Sequence, residues 1–195
     1  MALDFSFKEY YVSSRAKAKG IDNFPGVDSF KGTEFSFAKI KSNLQKVHYN
    51  IVDPLRKAFP PYTNAGNKDI WITSAYRCEA LNNEVGGVTN SQHKYGLAID
   101  IFSVSQKASL IWNWCYQNLP AYHQLIWEYP EFGDFVDGAR DPLTWIHISY
   151  VEENNIKVNS IATQREDLHE MYKAEGTSRN GDYTHGIKIA DQNLI

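Results

Sequence analysis

His93 and Asp100 stand seven positions apart across Tyr95-Gly96, a spacing at which a glycine bend can turn both side chains inward. Further along, Thr144-Trp145-Ile146-His147-Ile148-Ser149-Tyr150 alternates as a strand does, so His147 shares a face with Trp145 and Ser149. Asp100 interrupts the apolar run Leu97-Ala98-Ile99-Asp100-Ile101-Phe102, and Glu128 stands between two aromatics in Leu125-Ile126-Trp127-Glu128-Tyr129. An ionised carboxylate buried without a partner is expensive, so each of these intrusions needs a charge, a metal or a proton. Taken singly, a strand histidine also reads as a satisfied core residue, and a strand Asp or Glu as an edge residue. Three intrusions in neighbouring strands, joined by His93, point instead to one shared site. Two histidines and an aspartate supply three zinc ligands and leave the fourth position to water, as in a catalytic rather than a structural zinc site.

Positioning those side chains requires a sheet, and strand character appears at 69–74, 97–104, 124–129 and 144–151. The last two are separated by a Gly/Asp/Pro-rich loop that suits an antiparallel pair. Helices come earlier. Ser13 caps a short helix over 13–19, with Gly20 just past its end. Phe37, Ile40, Leu44, Val47, Ile51 and Leu55 recur every three or four residues on a helix expected to start near Thr33. Pro54 lies inside that stripe and should kink or restart the helix before Pro60-Pro61 ends it. Residues 77–85 read as a helix stopping at Gly86-Gly87, and 108–119 as one closed by Pro120. Helices first and three or four strands after them predict an α+β fold: a small antiparallel sheet carrying the zinc site, packed against N-terminal helices.

A chain of 195 residues suits one domain, or one domain with an extension. With 43% hydrophobic and 22% charged residues it is neither disordered nor collagen-like. No apolar run approaches the roughly 18 residues that span a bilayer, and neither a membrane partner nor a secretory signal is expected. Residues 1–150 carry 15 basic and 15 acidic side chains, and 151–195 carry 5 and 8. A neutral body lacks the basic stripe that drives nucleic-acid binding, so no nucleic-acid partner is expected. Residues 1–151 hold every candidate site residue and are expected to form the catalytic domain. Residues 152–195 are expected to be an acidic extension, with a short helix over 163–174 and a flexible break over 176–181, able to dock a protein partner. Cys78 and Cys115 form no Cys-x-x-Cys pair, and Cys115 falls on an apolar helix face, so core packing is its reading. His48 lies beside an apolar helix stripe and reads as structural.

Ser91-Gln92-His93-Lys94-Tyr95-Gly96-Leu97-Ala98-Ile99-Asp100 resembles the Ser-x-His-x-x-Gly-x-Ala-x-Asp motif of zinc D,D-carboxypeptidase-like peptidases, with all five fixed positions present. That family cuts peptidoglycan stem peptides and includes D-Ala-D-Ala carboxypeptidases and phage L-Ala-D-Glu endopeptidases. Trp145-Ile146-His147 resembles its second zinc motif, and Thr73-Ser74-Ala75-Tyr76-Arg77, Leu81-Asn82 and Val85-Gly86-Gly87 resemble its Ser-x-Tyr-Arg…Leu-Asn…Val-Gly-Gly segment. Gly20-Ile21-Asp22-Asn23 and Asp53-Pro54-Leu55-Arg56 are similar to the N-terminal stretch of the phage branch, and the resemblance spans roughly 7–151.

The resemblance implies one Zn²⁺ per chain held by His93, Asp100 and His147, and an Arg77 that steadies the substrate carbonyl or its oxyanion. The motif positions Ser91, Tyr76 and Trp145 are expected to contact substrate. One departure matters. Some members place the catalytic carboxylate three residues before the second zinc histidine, where this chain has Thr144. Glu128 is the preferred general base, with Asp141 and Asp137 behind it. The expectation is a zinc peptidase of endolysin type, made in the host bacterial cytoplasm and acting at the cell wall after release, or carried on a virion. A D-Ala-D-Ala carboxypeptidase is the enzymatic alternative. A virion structural or cell-wall-binding protein that keeps the zinc scaffold is the non-catalytic one.

Overall fold

Ile40, Leu44, Val47, Ile51 and Leu55 are all fully buried, as a three-to-four spacing on one helix face demands. In the computed structural model, which describes residues 5–26, 36–61, 68–128, 144–152, 158–163, 179–184 and 187–192, this stripe runs through three consecutive helical pieces. A short α1 (Ser14–Ala18) precedes them, capped by Ser13 Oγ, which accepts from Ala16 N at 3.2 Å. The stripe itself lies on α2 (Phe37–Val47), a π turn (His48–Val52) and α3 (Asp53–Ala58). The π turn bonds Asp53 N back to His48 O, and Pro54 then falls in the first turn of α3, where its missing N–H costs nothing. The proline restarts the helix. α2 begins later than the expected start near Thr33, because Ser36 Oγ accepts from Lys39 N at 3.2 Å and caps it there; Thr33 lies outside the described residues.

The sheet follows. Strands β1 (Ile70–Ser74), β2 (Ala98–Ser103), β3 (Gln124–Glu128) and β4 (Trp145–Ser149) form an antiparallel sheet in the order β1-β2-β4-β3. Between them lie α4 (Glu79–Glu84) and α5 (Ala108–Asn118). α4 starts two residues later than the helix expected over 77–85, since the amides of Arg77 and Cys78 go to His93 O and Asn23 Oδ1 instead. Ile99, Ile101, Leu125, Trp127, Ile146 and Ile148 share one sheet face and are buried in one cluster with α2, α3 and α5. Burying each such side chain is worth about 1.5–3 kcal/mol, so this face fastens the sheet to the helices. Period-two alternation sends Asp100, His147 and Glu128 to the other face.

Three more strands extend the sheet beyond the count the sequence suggests. β5 (Val158–Thr163) runs parallel to β3, β7 (Ile187–Gln192) is antiparallel to β5, and β6 (Arg179–Thr184) is antiparallel to β7. The flexible break expected over 176–181 is therefore corrected at 179–181, which lie in β6, and Thr163 belongs to β5 rather than to a helix. The rest of those two segments lies outside the described residues. The physical reason is that β3 would otherwise leave an unpaired edge of N–H and C=O groups, and such an edge recruits weakly patterned chain as strand.

Candidate metal centre and active site

Strand register puts the candidate residues in rows. Ser74 faces Asp100 across β1 and β2, Asp100 faces His147 across β2 and β4, and Ile126 faces His147 across β4 and β3. One pleat further along, Glu128 faces Trp145. His93 comes from outside the sheet, on a single 3₁₀ turn (Gln92–Tyr95). That turn ends at Gly96 in the left-handed region, φ +68°, where a Cβ would stand 3.0 Å from Ile40 O and 3.1 Å from the Leu44 side chain. Only glycine satisfies both the angle and the close approach to α2, and so the chain can turn from His93 into β2.

His93 Nδ1 donates to Ala75 O at 2.6 Å, which leaves Nε2 with its lone pair turned inward. Nε2 lies 3.2 Å from His147 Nδ1 and 3.2 Å from Asp100 Oδ1, and His147 Nδ1 lies 2.9 Å from Asp100 Oδ1. All three side chains are buried. Tetrahedral zinc with bonds near 2.0–2.1 Å spaces its ligand atoms about 3.3 Å apart. The three atoms already stand within a few tenths of an ångström of that spacing, and imidazole with carboxylate is a donor set zinc favours. The residues fit the metal.

Electrostatics agree with that assignment. Burial pushes the Asp100 carboxyl up, but His93, His147 and Arg77 outweigh it and hold the group well below the usual carboxylate range. Burial lowers the His93 imidazole, with Arg77 adding to the effect and Asp100 opposing it. An ionised carboxylate beside a neutral imidazole is the ligand form of both groups.

Arg77 lies three residues past the end of β1. Its Nε donates to Ser74 Oγ at 2.8 Å and its Nη2 to Asp100 Oδ2. The β1–β2 register shifts between Ile72 and Ser74, and the intervening Thr73 donates its hydroxyl to Asp100 O at 3.0 Å. This bulge re-aims the end of β1, as bulges beside active sites do, and swings Arg77 over Asp100.

Glu128 is half-buried at the end of β3, and its carboxyl is pushed up to about 7, by burial first and the Asp100 charge second. His147, Arg77 and the Trp145 indole pull the other way. Thr144, which occupies the place of the missing carboxylate, is a fastener. Its hydroxyl accepts from Trp127 Nε1 at 3.0 Å and donates to Glu128 O at 3.0 Å, tying down the strand end that carries Glu128. Asp137 and Asp141 lie outside the described residues.

Among the other expected site residues, Trp145 shares the face of His147, and Ser91 is buried at the head of the turn that carries His93. Tyr76 is 2% exposed and its ring packs in the core cluster, while its neighbour Arg77 reaches Asp100. Ser74, the Ala75 carbonyl and Asn23 are contributors that sequence reading did not assign. Ser74 and Asn23 stood in quoted motifs. A carbonyl carries no signal of residue type at all. His48 is buried in the core with Tyr10 Oη 2.7 Å from its Nδ1, and Cys115 is fully buried with its thiol pushed up, so both stay structural.

Such a donor set, on the face of an α+β sheet turned away from its helices, is that of a metal-dependent hydrolase. The family model for Peptidase M15 matches residues 4–132, more than half of the chain, and the chain belongs to that family of zinc-dependent peptidases. The match spans Arg77, His93, Asp100 and Glu128, while His147 stands beyond its end and is placed by strand register. A comparison with curated proteins finds no match. No helix among the described residues is long and apolar enough to cross a membrane.

Proposed function

We propose that the chain hydrolyses peptide bonds in peptidoglycan stem peptides, with His93, Asp100 and His147 holding one zinc, Arg77 binding the reacting carbonyl and Glu128 acting as general base. The observation that carries this reading is the convergence of His93 Nε2, His147 Nδ1 and Asp100 Oδ1 within 3.2 Å of one another beside the Arg77 guanidinium. Zinc bound there supplies Lewis acidity, which polarises an amide carbonyl and makes water acidic near neutral pH. Glu128 takes a proton from the attacking water at a carboxylate oxygen and returns it to the leaving amine. Arg77, held by Ser74 and Asp100, offers its remaining donors to the carbonyl oxygen as negative charge builds there. Trp145 and Ser91 stand at family motif positions that line the substrate. The likeness of 20–23 and 53–56 to the phage branch supports an endolysin or virion-borne lysin.

Mass spectrometry of fragments released from purified peptidoglycan by the zinc-loaded protein tests the reading. Cleavage inside the stem marks an endopeptidase and release of terminal D-Ala a carboxypeptidase. No release at all would leave a binding or structural protein.

Arg77→Ala should keep the fold and, with zinc in excess, one metal per chain, while turnover falls about 100- to 1000-fold. Near-normal turnover in that variant would reduce Arg77 to a salt-bridge partner of Asp100.

Residues 1–151 are the proposed catalytic unit. A chain cut after Glu153 keeps the core cluster described above and loses the pairing of β3 with β5. It should still melt cooperatively and bind zinc, and should self-associate more readily through the bared β3 edge, as light scattering would show. A non-cooperative melt would mean that the extension completes the core.

A further inference from the structure

Asn23 lies on the loop after α1, more than fifty positions from Arg77, yet its side chain grips the backbone on both sides of that arginine. It is only 6% exposed, and its amide makes three hydrogen bonds. Nδ2 donates to Tyr11 O at 2.8 Å and to Tyr76 O at 2.9 Å, and Oδ1 accepts from Cys78 N at 2.7 Å. Tyr76 and Cys78 are the two neighbours of Arg77 in the chain. β1 ends at Ser74 and α4 begins at Glu79, so residues 75–78 belong to no regular element. A carboxamide carries a donor and an acceptor in one plane and can pair with extended backbone much as a neighbouring strand would.

The other ties of this segment lead to the metal centre. Arg77 N donates to His93 O at 3.2 Å, His93 Nδ1 donates to Ala75 O, and Tyr76 N donates to Tyr10 O at 2.8 Å. The backbone that aims Arg77 is thus held by a metal-ligand residue on one side and by Asn23 on the other. The geometry points to Asn23 as a positioning residue for the reaction: it fixes residues 76–78 so that the Arg77 guanidinium stays against Ser74 and Asp100, aimed at the reacting carbonyl. Asn23 touches no substrate. The inference rests on the reading of Arg77 given above.

The chemistry demands asparagine. Aspartate at this position could accept from Cys78 N but could not donate to Tyr11 O or Tyr76 O, and would set a negative oxygen against both carbonyls. Alanine removes all three bonds and leaves buried backbone groups unpaired.

The test uses the full-length zinc-loaded protein and the variants Asn23→Ala, Asn23→Asp, Arg77→Ala and Asn23→Ala/Arg77→Ala. Asn23→Ala should lower kcat about 10- to 100-fold with KM and zinc stoichiometry little changed, because a misplacement near 1 Å has that effect. In the Arg77→Ala background the same change should cost less than about twofold, since residues acting as a unit are not additive. Two NMR readouts are independent of turnover: the Cys78 amide should exchange faster in Asn23→Ala, and the Arg77 Nε–H resonance should shift. Additive losses in the double variant, or an unmoved Arg77 resonance, would overturn the assignment. Should Arg77→Ala prove active, the reading of Arg77 fails by itself, and the Nε–H resonance alone decides whether Asn23 positions that side chain. Should Asn23→Ala not fold, Asn23→Asp, which keeps the shape and the bond from Cys78 N but loses those donated to Tyr11 O and Tyr76 O, is read by the fall in kcat and the shift of the Arg77 Nε–H resonance.

Discussion

Wild-type protein should bind one zinc per chain, and His147→Ala and Asp100→Ala should each lose that metal together with measurable turnover. Each substitution removes one of the three proposed ligands, and the two that remain lie 3.2 Å apart for His93 with Asp100, or 3.2 Å apart for His93 with His147. Metal analysis after gel filtration reads the stoichiometry directly. Thermal melting gives a second readout, because a ligand that binds only the native state stabilises it by about 4 kcal/mol at a thousandfold excess over Kd. Zinc should therefore raise the melting temperature of the wild type and leave both variants unmoved. His147→Ala is the cleaner of the two. Asp100→Ala also strips Arg77 of its carboxylate, and breaking a well-buried pair costs about 3–5 kcal/mol, an upper bound for this partly exposed arginine. Full zinc occupancy in both variants would show that the ligand assignment is wrong.

Glu128→Gln should keep stoichiometric zinc and turn over substrate about 100- to 10,000-fold more slowly, which is roughly 3–5 kcal/mol of barrier. The substitution keeps shape and removes only the basic oxygen. A pH measurement on metal-free protein checks the environment of this carboxyl independently of turnover. The Glu128 carboxyl sits at about 7 in the folded chain against 4.5 as its ordinary value. Between those values the folded chain holds a proton that the unfolded chain has released, so stability falls as pH rises through the window. The stabilisation is complete below pH 4.5 and lost above about 7. Glutamine does not titrate, so Glu128→Gln should be more stable than wild type at pH 8 by on the order of 2–3 kcal/mol, with the advantage vanishing near pH 4. Bound zinc should shrink the difference, since a nearby cation favours the carboxylate. If Asp141→Asn is the inactive variant while Glu128→Gln still works, the base is Asp141.

Much of the site was legible because strand alternation is local. Asp100 and His147 sit on the same face by parity, and polar residues inside apolar runs betray that face without any knowledge of the fold. Gly96 was legible too, since a glycine between two candidate ligands implies a bend that other residues resist. The choice of Glu128 over the other carboxylates was harder. Thr144 in the usual place says only that the base is elsewhere, and it takes the register Glu128↔Trp145 to set Glu128 one pleat from His147.

Sequence alone therefore determined the α+β class, the helix stripe from Ile40 to Leu55, the parity of the strand residues and, through its motifs, the three residues proposed as metal ligands. Each depends on steric periodicity over a few residues, or on the donor chemistry of a side chain, and neither needs a distant partner. Only tertiary structure decided the rest: Tyr76 turned into the core, the clamp from Asn23 to Tyr76 and Cys78, the bond from His93 to the Ala75 carbonyl, and the strand β5 added to the edge of β3. These are hydrogen bonds and pairings between segments far apart in the chain. Backbone groups are the same in every residue, so which of them meet is settled by how the helices and strands pack.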